Sequence, residues 1–86
     1  MPIEFSERFT KAYERLPKHI RAKTQKALRL LDADFRHPGL QAKRVKGTAD
    51  IFEARVDYQY RMTYRRRDDW LIMRNVGPHD DVLDKP

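Results

Sequence analysis

Residues 51–66 read Ile-Phe-Glu-Ala-Arg-Val-Asp-Tyr-Gln-Tyr-Arg-Met-Thr-Tyr-Arg-Arg, and this stretch decides the fold. Phe52, Ala54 and Val56 alternate with Glu53 and Arg55. Tyr60, Met62 and Tyr64 alternate with Arg61, Thr63 and Arg65. A period of about two places apolar side chains on one face and polar ones on the other, the pattern of half-buried strands. Asp57-Tyr58-Gln59 lies between the two runs and reads as a tight turn, so together they make a hairpin.

The same period extends to both sides. Residues 42–46 read as a strand before the turn Gly47-Thr48-Ala49-Asp50. After a turn at Arg67-Asp68-Asp69, residues 70–76 are apolar on both faces, as an interior strand would be. Gly77-Pro78-His79-Asp80-Asp81 is expected to leave the sheet as a loop, with residues 82–86 as a tail. Towards the N-terminus the period lengthens to about 3.6. Ile20, Thr24, Ala27, Leu28, Leu31 and Phe35 make one helical stripe, with Lys18, Arg21, Lys23, Lys26 and Arg29 on the solvated side and His37-Pro38-Gly39 as the stop signal. Phe9, Ala12, Tyr13 and Leu16 make a shorter stripe. Ser6 precedes it as an N-cap, and Pro17 opens the next helix. Ile3 and Phe5 share one face of a short first strand over residues 2–5. The expected fold is α+β, in the order β-α-α-β-β-β-β. Two N-terminal helices pack on one face of an antiparallel sheet, and residues 1–86 form a single domain.

Composition narrows the function classes. There are no cysteines, which excludes disulfides, thiolate metal sites and a cysteine nucleophile within these residues. No apolar run approaches the roughly 20 residues of a membrane span, and MPIEFSERF has no apolar core of a secretory signal. A cytoplasmic location with no membrane partner is expected. The net charge of +6 is uneven: residues 43–67 hold eight Lys and Arg against three acidic residues, whereas residues 68–86 hold two against five. A clustered basic surface favours phosphate backbones or an acidic protein partner.

The alternation aims Arg61 away from the core, and Arg55 has the same parity on the neighbouring strand. Two adjacent guanidiniums repel unless an anion sits between them, and phosphate suits their planar fork. Pairing with Glu53 or Asp57 is the structural alternative. Lys43, Arg44 and Lys46 form a second basic group, which could equally be a lysine-protected edge strand. Arg65 belongs with Arg66 and Arg67 near a hairpin tip, and the polar face of the sheet is expected to carry Arg55, Arg61 and Arg65 together. His79 stands just past the last strand among carboxylates that could orient its ring, and imidazole suits proton transfer. His79, Asp80, Asp81 and Asp84 are hard ligands at close spacing but match no metal motif. Neither a metal nor a small-molecule cofactor is expected, and there is no glycine-rich phosphate loop.

Leu16-Pro17, Pro38-Gly39-Leu40, Val45-Lys46-Gly47, Phe52 to Val56, Tyr60 to Tyr64 and Val76 to Asp80, in this order and spacing, resemble the RelE/ParE toxin superfamily over most of the chain. The resemblance implies the toxin of a type II toxin-antitoxin pair, with a cognate antitoxin that masks the basic face. In the RelE-like branch it implies entry into the 30S A site and metal-independent cleavage of mRNA on the ribosome by attack of the substrate 2′-hydroxyl. Arg61 matches the arginine that grips the scissile phosphate, Lys43 and Lys46 lie where basic residues assist in some members, and His79 lies where many members have a His or Arg. Many RelE-like nucleases carry a tyrosine shortly afterwards, whereas here the stretch is Asp81-Val82-Leu83-Asp84. The ParE branch shares the fold, lacks nuclease activity and inhibits DNA gyrase. That branch, and a non-toxic basic binding protein of the same fold, remain alternatives.

Overall fold

The computed structural model describes residues 2–86. The elements run β1 (Ile3–Phe5), α1 (Glu7–Glu14), α2 (Lys18–Ala33), a 3-10 turn at Pro38–Leu40, β2 (Lys43–Arg44), β3 (Ile51–Arg55), β4 (Tyr60–Arg67), β5 (Trp70–Pro78) and α3 (His79–Asp84). The sheet order is β1-β5-β4-β3-β2. The α+β architecture expected from the alternation is the one found. Three details differ. β1 joins β5 in parallel, so one of the four pairings is not antiparallel. β2 is two residues long rather than five. The segment expected as loop and tail extends β5 to Pro78 and then forms α3.

Local chemistry accounts for the helices. Ser6 Oγ accepts from the Phe9 N–H at 3.0 Å and so satisfies one of the orphan donors that open α1. Pro17 ends one ladder and starts the next. Thr24 lies in the buried stripe of α2, where its hydroxyl donates to the Ile20 carbonyl at 2.8 Å and leaves no unpaired polar atom there. Asp34 ends α2 and accepts from the Arg36 N–H at 2.9 Å. His37 then caps the 3-10 turn, its Nδ1 accepting from the Gly39 N–H at 3.0 Å.

The core lies between these helices and one face of the sheet. Phe9, Leu16, Ile20, Ala27 and Leu31 from the helices, with Leu40 from the 3-10 turn, meet Ala54, Met62, Tyr64, Leu71, Met73 and Val76 from the sheet. Tyr64 stacks on Phe52 with ring centroids 5.8 Å apart. Arg66 closes this end of the core, its guanidinium 4.2 Å from the Phe35 ring centroid and 5.2 Å from that of Phe52.

The other face of the sheet is not open throughout, contrary to the sequence expectation. Thr63 is 0% exposed and Glu53 only 5%. A bulge at Thr63/Tyr64 leaves Arg74 as an extra residue on β5. Thr63 Oγ1 and Arg74 Nε both donate to the Pro86 carbonyl, at 2.9 and 3.2 Å, and Asn75 Nδ2 donates to the Lys85 carbonyl at 3.2 Å. Arg8 bonds the same Lys85 carbonyl from α1. Residues 85–86 therefore run as a strap over the middle of this face. Among the described residues, no helix is long and apolar enough to cross a membrane.

Two stability measurements check this packing. The Tyr64 hydroxyl is buried with no hydrogen-bond partner among the described residues, and burial pushes its titration up, so it stays protonated. Tyr64→Phe removes that uncompensated polar atom and is expected to leave the protein as stable or up to about 1 kcal/mol more stable in urea titration; a clear loss would show that the hydroxyl has a partner. Asp57 accepts from the Gln59 N–H at 2.7 Å and pairs with Lys23 Nζ at 3.1 Å. The Gln59 N–H, followed by Lys23, holds its carboxyl below the ordinary 3.8, against an opposing push from burial. A depressed carboxyl stabilises the fold above its unfolded pKa, and that contribution is lost as pH falls. Asp57→Asn should therefore cost about 1 kcal/mol at neutral pH, with the Tm gap to the unsubstituted protein closing as pH drops below 3.8. A gap that is constant with pH would refute this account.

Candidate nucleic-acid interface

The β3–β4 turn is built from its own backbone. Val56 N–H donates to the Tyr60 carbonyl at 3.1 Å, and Tyr60 N–H returns to the Asp57 carbonyl at 3.3 Å. The Asp57 carboxylate closes an Asx turn onto Gln59, and Lys23 ties it to α2. Arg61 Nη1 then donates to the carbonyls of Asp57 at 2.5 Å and Tyr60 at 3.0 Å, so the turn itself holds the guanidinium. Across the sheet Arg61 faces Arg55 on one side and Gly77 on the other. Gly77 contributes no side chain that could cover the arginine.

β5 supplies the second wall. Pro78 has no N–H to continue the ladder, and the chain turns there into α3. His79 N–H donates to the Gln59 carbonyl at 2.8 Å, which binds the first residue of α3 to the β3–β4 turn. The His79 ring places Nδ1 3.1 Å from Asp80 Oδ1. A cavity of about 630 Å³ opens between turn and helix, lined by Tyr58, Tyr60, Arg61, Pro78, His79 and Asp80 among others.

The expected site residues thus fall into separate groups. Arg61 and His79 line one cavity, and Arg55 lies beside Arg61 in register. Neither arginine takes the carboxylate partner considered from sequence: Asp57 offers Arg61 only its main-chain carbonyl, and its carboxylate goes to Lys23. Arg65 is on the same face but four residues along β4, about 13 Å away. Its Nε lies 3.1 Å from Asp50 Oδ2, close enough to pair the two charges but without hydrogen-bond alignment, so Asp50 offsets its charge in part. Lys43 is exposed on that face, in register with Glu53. Arg44 pairs with Phe52 and so belongs to the helix-bearing face, and Lys46 lies in the turn after β2. The single basic surface expected from parity is therefore divided. Arg55 and Arg61 sit at one end, Lys43 and Arg65 lie further along, and Arg44 is on the opposite side.

Sequence reasoning passed over Tyr58, Gln59 and Tyr60 as turn or core. The available signal was an aromatic residue within a tight turn, where Gly, Asn, Asp and Pro are the favoured residues. The arrangement brings one guanidinium, an imidazole braced by a carboxylate and two phenol rings to one open cavity, with Arg55 in register beside Arg61. Cations of this kind can hold a phosphodiester, and an imidazole can give or take a proton near neutral pH.

No protein-family model matches the chain, and no curated protein is similar to it in sequence. Solved structures are similar in fold. A chain of the RelB-RelE antitoxin-toxin complex from Methanococcus jannaschii superposes with a TM-score of 0.78 at 21% identity, over 96% of this chain and 98% of that one. The DinJ-YafQ toxin-antitoxin complex of E. coli gives 0.78 at 19% identity, over 93% of each chain. The YoeB/ParE toxin from Agrobacterium tumefaciens gives 0.76 at 18% identity, over 92% of this chain and 99% of that one. The chain therefore shares the fold of these RelE, YafQ and YoeB/ParE toxin structures.

Proposed function

We propose that this protein is the toxin of a type II toxin-antitoxin pair and acts as a ribosome-dependent mRNA endonuclease. The observation that carries this reading is the convergence of Arg61 and His79, distant in sequence, on one open cavity with Arg55 alongside. Similar structures solved as toxin-antitoxin complexes support an antitoxin as partner. The ribosomal A site and its mRNA are the proposed target, and the cytoplasm the proposed location.

In the proposed reaction Arg61 and Arg55 hold the scissile phosphate and offset the charge that builds on its oxygens. The 2′-oxygen of the upstream nucleotide attacks phosphorus, and the bond from phosphorus to the 5′-oxygen breaks. The products are a 2′,3′-cyclic phosphate and a free 5′-hydroxyl. Asp80 braces Nδ1 of His79, and Nε2 donates the proton that the leaving 5′-oxygen needs; the proton of the 2′-hydroxyl passes to water. No cofactor enters the scheme.

One observation favours a second reading. Asp80 and Asp81 line the same cavity as His79 and are exposed, a negative pair that opposes an RNA backbone. A ParE-like inhibitor of DNA gyrase with no nuclease step is compatible with that charge. Primer extension on a reporter mRNA in a reconstituted bacterial translation system separates the two. Cuts that require ribosomes are expected. Arg61→Ala and His79→Ala should each lower the cleavage rate by about 100-fold or more while circular dichroism and antitoxin binding persist. Intact mRNA alongside altered DNA supercoiling would move the assignment to the gyrase-directed reading, and cleavage by both variants at the unsubstituted rate would reject the site.

A further inference from the structure

Among the described residues Tyr58 is the most exposed of the large hydrophobic side chains, at 71%, and the backbone beneath it is held by hydrogen bonds. Asp57 accepts from the Gln59 N–H, the Gln59 carbonyl accepts from the His79 N–H, and Lys23 anchors Asp57 to α2. The ring is therefore presented on a rigid support. Tyr13 and Tyr60 are half-buried and Tyr64 is wholly buried in packing, but Tyr58 has no place in the core. It stands at the cavity that also holds Arg61 and His79. An exposed ring beside an arginine is the combination that grips single-stranded nucleic acid: the cation takes the phosphate and the ring takes a base.

We infer that Tyr58 is the platform on which a nucleobase adjoining the scissile phosphate stacks. The inference rests on the mRNA-cleavage reading and assigns a further residue to it. Stacking engages the π face of the ring, so the ring matters and the hydroxyl does not. Tyr58 fixes where the RNA lies relative to Arg61 and His79, and is a positioning residue without a share in proton transfer.

The test measures binding of the full chain to bacterial 70S ribosomes programmed with an mRNA whose A-site codon carries 2′-deoxynucleotides, which cannot be cut. Tyr58→Ala is expected to fold normally and to weaken binding by roughly 5- to 150-fold, the equivalent of one base stack. Tyr58→Phe should bind within about twofold of the unsubstituted protein. Arg61→Ala serves as the reference for the site. Undiminished binding by Tyr58→Ala with weakened binding by Arg61→Ala overturns the inference and leaves the cleavage reading standing. If neither variant weakens binding, both fall. Equal losses in Tyr58→Ala and Tyr58→Phe would show that the hydroxyl does the binding and reject the stacking role. A loss confined to the complex with the antitoxin would assign Tyr58 to that protein interface and reject it as well.

Discussion

Burial of Met62 and Tyr64 beneath the helices holds β4 in register, and a slip of one residue would turn Arg61, Thr63 and Arg65 into the core. Every other placement depends on this. β3 and β5 take their register from β4, the β3–β4 turn takes its position from them, and α3 hangs from β5. The site residues are thus placed by apolar packing on the opposite side of the sheet. The arrangement guards against drift, because burying a guanidinium without a partner costs far more than any hydrogen bond in the turn returns.

That alternation is local, and for this reason it was legible in residues 51–66. A period of two is printed in adjacent side chains, as is the helical stripe of α2. The parallel pairing of β1 with β5 was not legible, because it joins residues near opposite ends of the chain and leaves no repeating mark in either segment. α3 has six residues, too few to show a helical period, and its apolar anchor is the single buried Val82. The strap over Thr63 and Arg74 relies on main-chain carbonyls, which residue identity does not encode. The pairing of Arg65 with Asp50 was hidden for a related reason. Parity says which face a cation is on but not which carboxylate the next turn delivers to it.

The division of the cations gives the molecule more than one kind of basic surface. Arg55 and Arg61 stand at the end of a hairpin where no acidic side chain is bonded to either among the described residues. Arg65 has the Asp50 carboxylate beside it, and Arg66 lies against aromatic rings. Net charge therefore overstates the surface available to an anion. At the cavity itself Arg61 is the one Lys or Arg among the described lining residues, with Asp80 and Asp81 opposite, so an anion is taken there by fit more than by summed charge.

The β1–β5 pairing also sets a schedule for synthesis. Local helices form in microseconds, but a parallel pair between the first strand and the last must wait until both have left the ribosome. Until β5 emerges, β4 lacks one neighbour and the His79 wall does not exist, so Arg61 has no cavity to line. A partly made chain is therefore inert at the proposed site, and its unpaired strand edges are exposed to whatever protein is at hand.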